Sequence, residues 1–239
     1  MAVNIFMALS GDLYVTSAYE DGHVMVFIHK GPLNDESFEP GNVISTPWKW
    51  ERLYASHPHS QPVLSIDISP AHDYWISSSA DALIVKHPIP GPGKIGDIPI
   101  VNYQEETPLK TINTKHSGQQ GLRIRSDGKI FATAGWDSRV RVYSGKSMKE
   151  LAVLKWHKDG CYSVAFGEVD PAPSPEPLSC HSEDYEPHSK IHEEDPEKKV
   201  QGLDFSLAAV QSQRNRKTQL THWLTAGSKD GKISLWDIY

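Results

Sequence analysis

The chain has little cysteine, no excess of positive charge and no long apolar run, and each shortage excludes something. Two cysteines, Cys161 and Cys180, among 239 residues give no disulfide framework, so a reducing compartment is expected. A formal net charge of −6 argues against a protein that grips nucleic acid by neutralising phosphates. Arg214, Arg216 and Lys217 form the only basic cluster, and their polar surroundings read as a solvated loop rather than a DNA contact. No apolar stretch reaches the ~18 residues that cross a bilayer. The Met1–Met7 start lacks the charged and apolar regions of a secretory signal. A soluble intracellular protein is expected. There is no phosphate-binding loop: Pro90-Gly-Pro-Gly93 lacks the Gly-Lys-Ser/Thr ending and a following helix. Convincing helical periodicity is missing from the part of the chain expected to fold.

What is present is repetition. Four aspartates are each followed six residues later by an aromatic residue or His: Asp21/Phe27, Asp81/His87, Asp137/Tyr143 and Asp230/Trp236. A branched apolar residue stands three after each Asp: Val24, Ile84, Val140 and Ile233. Glu20-Asp21-Gly22 supplies the positive φ of a tight hairpin. The strands around these turns alternate apolar and polar, as half-buried antiparallel strands do. Leu64, Ile66 and Ile68 share one face, and Leu122 and Ile124 oppose Arg123 and Arg125.

The pattern predicts four-stranded units. The first has strands over 1–8, 13–18, 23–28 and 51–56. The second has 63–69, 74–79, 83–86 and 109–113. The third has 122–126, 130–134, 139–143 and 150–155. The fourth has 162–167, 223–227 and 233–238, about fifteen strands in all. The first three turn aspartates are about 56–60 residues apart, against ~40–45 for an ordinary propeller unit. The excess lies in Pro-containing connections (31–47 and 88–108) and in an acidic, Pro-rich insertion over 168–219 within the last unit. That insertion is too poor in apolar residues to offset ordering entropy, so disorder is expected, with a short helix or docked strand over 203–210.

The fourth unit lacks an outer strand, and no spare strand precedes the first. An all-β, incomplete propeller of about four blades is expected, the C-terminal half of a longer ring. Natural proteins avoid leaving a sheet edge such as 233–238 open. As written, the chain would be poorly soluble, or completed by another chain.

These residues resemble the WD-repeat superfamily. Phe131-Ala-Thr-Ala-Gly-Trp-Asp-Ser-Arg-Val-Arg-Val-Tyr143, Glu150-Leu-Ala-Val-Leu154, Tyr19-Glu-Asp-Gly22 and Ala226-Gly-Ser-Lys-Asp-Gly-Lys-Ile-Ser-Leu-Trp236 look like its fungal ASTRA-associated branch, similar to the animal guanine nucleotide-binding protein beta-subunit-like branch. The resemblance implies a non-enzymatic nuclear scaffold that needs no cofactor or metal. Its partners would be the other subunits of an ASTRA-type assembly, linked to chromatin remodelling, telomere maintenance and kinase stability. It implies no direct contact with nucleic acid or membrane. The animal relatives are seven-bladed. Two rivals are a cytoplasmic scaffold of the G-protein-beta kind, for which the heptad helix is missing, and a propeller hydrolase, for which no convergent acids are evident.

WD repeats carry a His, a Ser/Thr, the turn Asp and a Trp as a hydrogen-bonded set. The resemblance places His116, Thr133 and Asp137 in one set, with Tyr143 for Trp. It places His157, Asp230 and Trp236 in another, with Ala226 at the Ser/Thr position. His57 and Asp81 fit more loosely, with His87 for Trp, and Asp21 marks the first turn. Recurrence in register with each hairpin favours a structural role over a catalytic triad. Cys180, His181, His188 and His192 lack the paired spacing of a zinc site. Cys161 reads as a small buried hydrophobe. Trp136, just before a turn Asp and near Arg139, reads either as a partner-binding hot spot or as packing on the next blade.

Overall fold

The computed structural model describes residues 1–29, 50–91, 106–168, 210–211, 214–215 and 221–238. They fall into two units. One comprises Met1–Gly167 and Trp223–Ile238; the other comprises Glu168–His222 and Tyr239. Of the second unit, residues 210–211 and 214–215 are helical. The expected disorder of the insertion, the helix or strand ahead of Val210, and the cluster of Cys180, His181, His188 and His192 lie outside the described residues.

The first unit is a series of antiparallel sheets. β1 (Ala2–Met7), β2 (Leu13–Ala18), β3 (Val24–His29) and β4 (Trp50–Ser56) form the first in sequential order. β5 (Val63–Ile68), β6 (Tyr74–Ser79), β7 (Leu83–Pro88) and β8 (Lys110–Asn113) form the second. β9 (Gln119–Ile124), β10 (Ile130–Gly135), β11 (Arg139–Ser144) and β12 (Glu150–Lys155) form the third. β13 (Cys161–Phe166), β14 (Trp223–Ser228) and β15 (Ile233–Asp237) make a three-stranded fourth sheet among the described residues. These are four blades of an incomplete propeller.

Each central hairpin is pinned by its aspartate. The amides of His23, Leu83 and Lys232 donate to Asp21, Asp81 and Asp230 at 3.1, 2.9 and 3.0 Å. These bonds satisfy turn donors that would otherwise be orphaned. The residue after each Asp is left-handed in all four blades: Gly22 (φ 93°), Ala82 (φ 69°), Ser138 (φ 61°) and Gly231 (φ 74°). Glycine adopts that conformation without strain, and Ala82 and Ser138 hold it at a cost. Even Gly22 is tightly placed, for a Cβ there would overlap the His59 carbonyl of the next blade.

The innermost strands β1, β5, β9 and β13 follow one another, each touching the next. Three apolar cores lie at the joints. Val24, Val26 and Ile28 of blade one meet Val63, Ile66 and Trp75 of blade two. Ile76 and Ile84 meet Leu122, Phe131 and Tyr143 of blade three. Val140 and Val142 meet Val164, Leu224 and Ala226 of blade four. The core is therefore between blades, and a single blade cannot bury its own faces.

Candidate functional site

The sets of polar side chains expected at the turns are present, but their membership differs from blade to blade. In blade two the His is His59, and His57 is displaced from the place assigned to it. The ring of His57 instead stacks on His23, centroids 4.1 Å apart, and its Nε2 lies 2.9 Å from the Asp21 carbonyl. His59 stands four residues before β5, as His157 stands four before β13, and that spacing was the available signal.

His59 anchors a buried relay. Its Nδ1 lies 3.2 Å from both carboxylate oxygens of Asp81, and its Nε2 lies 2.8 Å from Ser77 Oγ. Ser77 Oγ is 2.8 Å from His87 Nε2, and His87 Nδ1 is 3.0 Å from the Tyr54 hydroxyl. Tyr54 belongs to blade one, so the relay crosses a joint. One direction of donation satisfies every member: Tyr54 O–H to His87, His87 N–H to Ser77, Ser77 O–H to His59, and His59 N–H to Asp81. Both imidazoles are then neutral. Burial pushes both below the usual histidine range; in His59 it outweighs Asp81, with the charge of His57 acting in the same direction, and His59 adds to the shift of His87.

A pH dependence follows. The folded pKa values lie below the unfolded value of ~6.5, so the unfolded chain binds more protons in acid. The stabilisation is complete above that pH and is lost as pH falls below it. Urea unfolding at mildly acidic and at neutral pH reads it directly; equal stabilities would contradict neutral histidines in the relay.

Blade three replaces the histidine. Thr133 Oγ1 donates to Gln119 Oε1 at 2.7 Å, and Gln119 is fully buried. His116 lies at the surface, its Nδ1 3.5 Å from Asp137, with its side chain 46% exposed. The main partner of Asp137 is Arg141, whose Nη1 and Nη2 donate to the two carboxylate oxygens at 3.1 and 2.5 Å. Burial pushes the Asp137 carboxyl up, but the Arg141 bonds and charge, with His116, hold it below the usual range. Tyr143 stacks on Phe131 with centroids 5.0 Å apart. Gln119 was missed because it precedes the apolar run from which β9 was placed.

In blade four His157 Nε2 lies 2.6 Å from Ser234 Oγ, so the hydroxyl comes from the third strand while Ala226 fills the second-strand place. His157 Nδ1 is 3.6 Å from Asp230, and its ring meets Trp236 edge-on at 6.2 Å. Cys161 is buried, and burial with nearby Asp137 and Asp230 pushes its thiol up to about 11.

Trp136 is 45% exposed and held in place. Its Nε1 donates to Gln120 Oε1 at 2.7 Å, and its ring covers Gly118, where a Cβ would sit inside the indole. Its backbone lies against Gly160 of blade four. Both readings of Trp136 thus apply in part: it packs, and it presents a ring face. Arg139 opens β11 and is half-buried. Between the innermost strands a cavity of about 460 Å³ is lined by Asn4, Ser65, Asp67 and Arg123, among others. Two of these polar groups serve the joint: Ser65 Oγ and Asp67 Oδ2 accept the amides of Leu122 and Ile124 at 3.2 and 2.7 Å.

Residues 50–85, 106–144 and 218–237 match the family described as WD domain, G-beta repeat. The chain belongs to the WD-repeat family. Within that family it stands with the fungal ASTRA-associated proteins. It is 65% identical over 239 residues to ASTRA-associated protein 1 of Penicillium rubens, covering 100% of this chain and 54% of the relative. It is 57% identical over the same span to ASTRA-associated protein 1 of Aspergillus niger, covering 53% of that protein. With that of Schizosaccharomyces pombe it shares 41% identity over 156 residues, 64% of this chain and 38% of the relative. The chain spans about half the length of the first two relatives. The polar sets of blades two, three and four are thus WD-repeat sets, one to a blade, and they point to a scaffold rather than an enzyme.

Proposed function

We propose that this WD-repeat scaffold works inside a nuclear multiprotein assembly of the ASTRA type, with roles in chromatin remodelling, telomere maintenance and kinase stability. The observation that carries the reading is 65% identity along the whole chain to a protein named for its ASTRA association. The blades support it physically. Rigid sheets present fixed loops and edges to partners, with no ordering cost at the moment of binding.

Trp136 and Arg139 are the proposed contact. A tryptophan held by Gln120 and seated on Gly118 loses little freedom when a partner covers it, which suits a hot spot. Affinity purification of the tagged chain from nuclear extract is expected to recover ASTRA-type subunits. The W136A variant is expected to lower the affinity behind that recovery about 30-fold, the ~2 kcal/mol of a typical hot spot. Recovery of G-protein subunits from the cytoplasmic fraction instead would favour a signalling scaffold and overturn the nuclear reading.

A further inference from the structure

Cations gather at the rim of blade three that holds Trp136. Arg139 opens β11 and Lys155 closes β12, and the two are direct partners in the strand pairing. Like charges placed opposite each other cost stability unless an anion joins them. Lys158 is exposed in the loop that follows, and Lys232 of the next blade reaches back, its Nζ 6.0 Å from the centre of the Trp156 ring. Trp156 is 55% exposed, and Trp136 lies in the turn just ahead of Arg139. The turn carboxylates of this end are engaged elsewhere: Asp137 holds Arg141, and Asp230 accepts the Lys232 amide and faces His157. Among the described residues no carboxylate, that of Asp159 next to Lys158 included, comes within ion-pair distance of the side chains of Arg139, Lys155, Lys158 or Lys232. These cations thus stand beside two exposed indoles, in a chain whose net charge is −6.

We propose that this rim docks an acidic segment of a partner protein, its carboxylates on the four cations and an apolar side chain on the exposed face of Trp156. The proposal rests on the Trp136–Arg139 contact above and gives the partner at that contact a chemistry. Charge selects the occupant. Arg139 and Lys155 are relieved of their mutual repulsion when an anion bridges them, and each donates charged hydrogen bonds to its oxygens. The indoles add apolar contact that inorganic phosphate cannot use. A nucleic acid is the wrong polyanion. It runs on past the rim, over a molecule that is negative as a whole and that exposes Glu20 and Asp21 at the matching turn of blade one. A short acidic segment meets the rim alone.

The test is fluorescence anisotropy of the full chain with a dye-labelled peptide of glutamates around a central leucine. Binding is expected to saturate, to weaken as salt rises, and to be lost when glutamine replaces each glutamate. R139E/K155E is expected to weaken it about 10-fold or more, and to gain affinity for the same peptide built with lysine. K146E/K149E makes the same change of net charge at the other end of blade three and is expected to leave binding within about 2-fold. Circular dichroism checks that the strands persist. Should the reversal fail to fold, R139Q/K155Q removes the charges more gently and is expected to bind about 3-fold more weakly. Equal effects at the two ends of the blade overturn the proposal, as does no binding of the glutamate peptide or tighter binding of a thymidine oligonucleotide. Affinity purification separates this proposal from the one it rests on. If W136A lowers recovery of ASTRA-type subunits and R139E/K155E does not, the contact stands and the acidic partner is overturned. If the peptide binds as expected and no such subunit is recovered, the acidic chemistry stands and the assembly reading falls.

Discussion

Replacing Asp137 with alanine is expected to destabilise the chain by about 3 kcal/mol. The size of the effect comes from Arg141, whose side chain is 3% exposed. Its two bonds to Asp137 neutralise a charge that has little other support; Glu150 approaches its Nε only to 3.6 Å. Removing one member of a buried pair costs ~3–5 kcal/mol because the other charge is left behind. Asp137 is itself 28% exposed, which admits water and places the effect at the lower end of that range. The double variant D137A/R141M is expected to recover most of the loss, since an apolar side chain of similar volume needs no counter-ion. Urea unfolding at constant m measures both. A D137A effect below ~0.5 kcal/mol, the level of an ordinary surface change, would contradict a structural pair.

The second large effect is expected at Ser77. One hydroxyl serves two imidazoles at 2.8 Å each, so S77A leaves both His59 Nε2 and His87 Nε2 without their partner. Each unsatisfied buried group costs ~1–3 kcal/mol, and a loss of about 2–4 kcal/mol is expected. The Y54F variant removes only the first donor of the relay and is expected to cost about 1–2 kcal/mol. The order S77A above Y54F distinguishes a relay from independent pairs. Equal effects, or a neutral S77A, would mean that the hydroxyl is not shared.

Much of this fold is legible in the chain because the turn aspartates recur in phase. The strands Leu13–Ala18, Tyr74–Ser79 and Glu150–Lys155 coincide with the expected ranges, since each is bounded by turn residues and alternates cleanly. β9 begins at Gln119, three residues ahead of the expected start. Polar Gln119 and Gln120 carry no apolar signal, and the pairing shifts register beside Gly135. The polar sets were only partly legible. The turn aspartates could be read directly, because their role is local. The choice of His59 over His57, of Gln119 over His116, and of Ser234 opposite Ala226 depends on how neighbouring strands meet. The pairing of Arg141 with Asp137 is likewise invisible to a pattern that expects alternation, since a charged residue lies on a buried face.

The central claim is that the blades are in phase, so that equivalent residues face equivalent joints. Single cysteines at Val24, Ile84, Val140 and Ile233, in a Cys161→Ser/Cys180→Ser background, test it through their rate of thiol labelling. The account predicts that the first three react only as the chain opens, while the cysteine at 233 reacts as fast as in the unfolded chain. Four equal rates, or fast labelling at position 84 or 140, would contradict it.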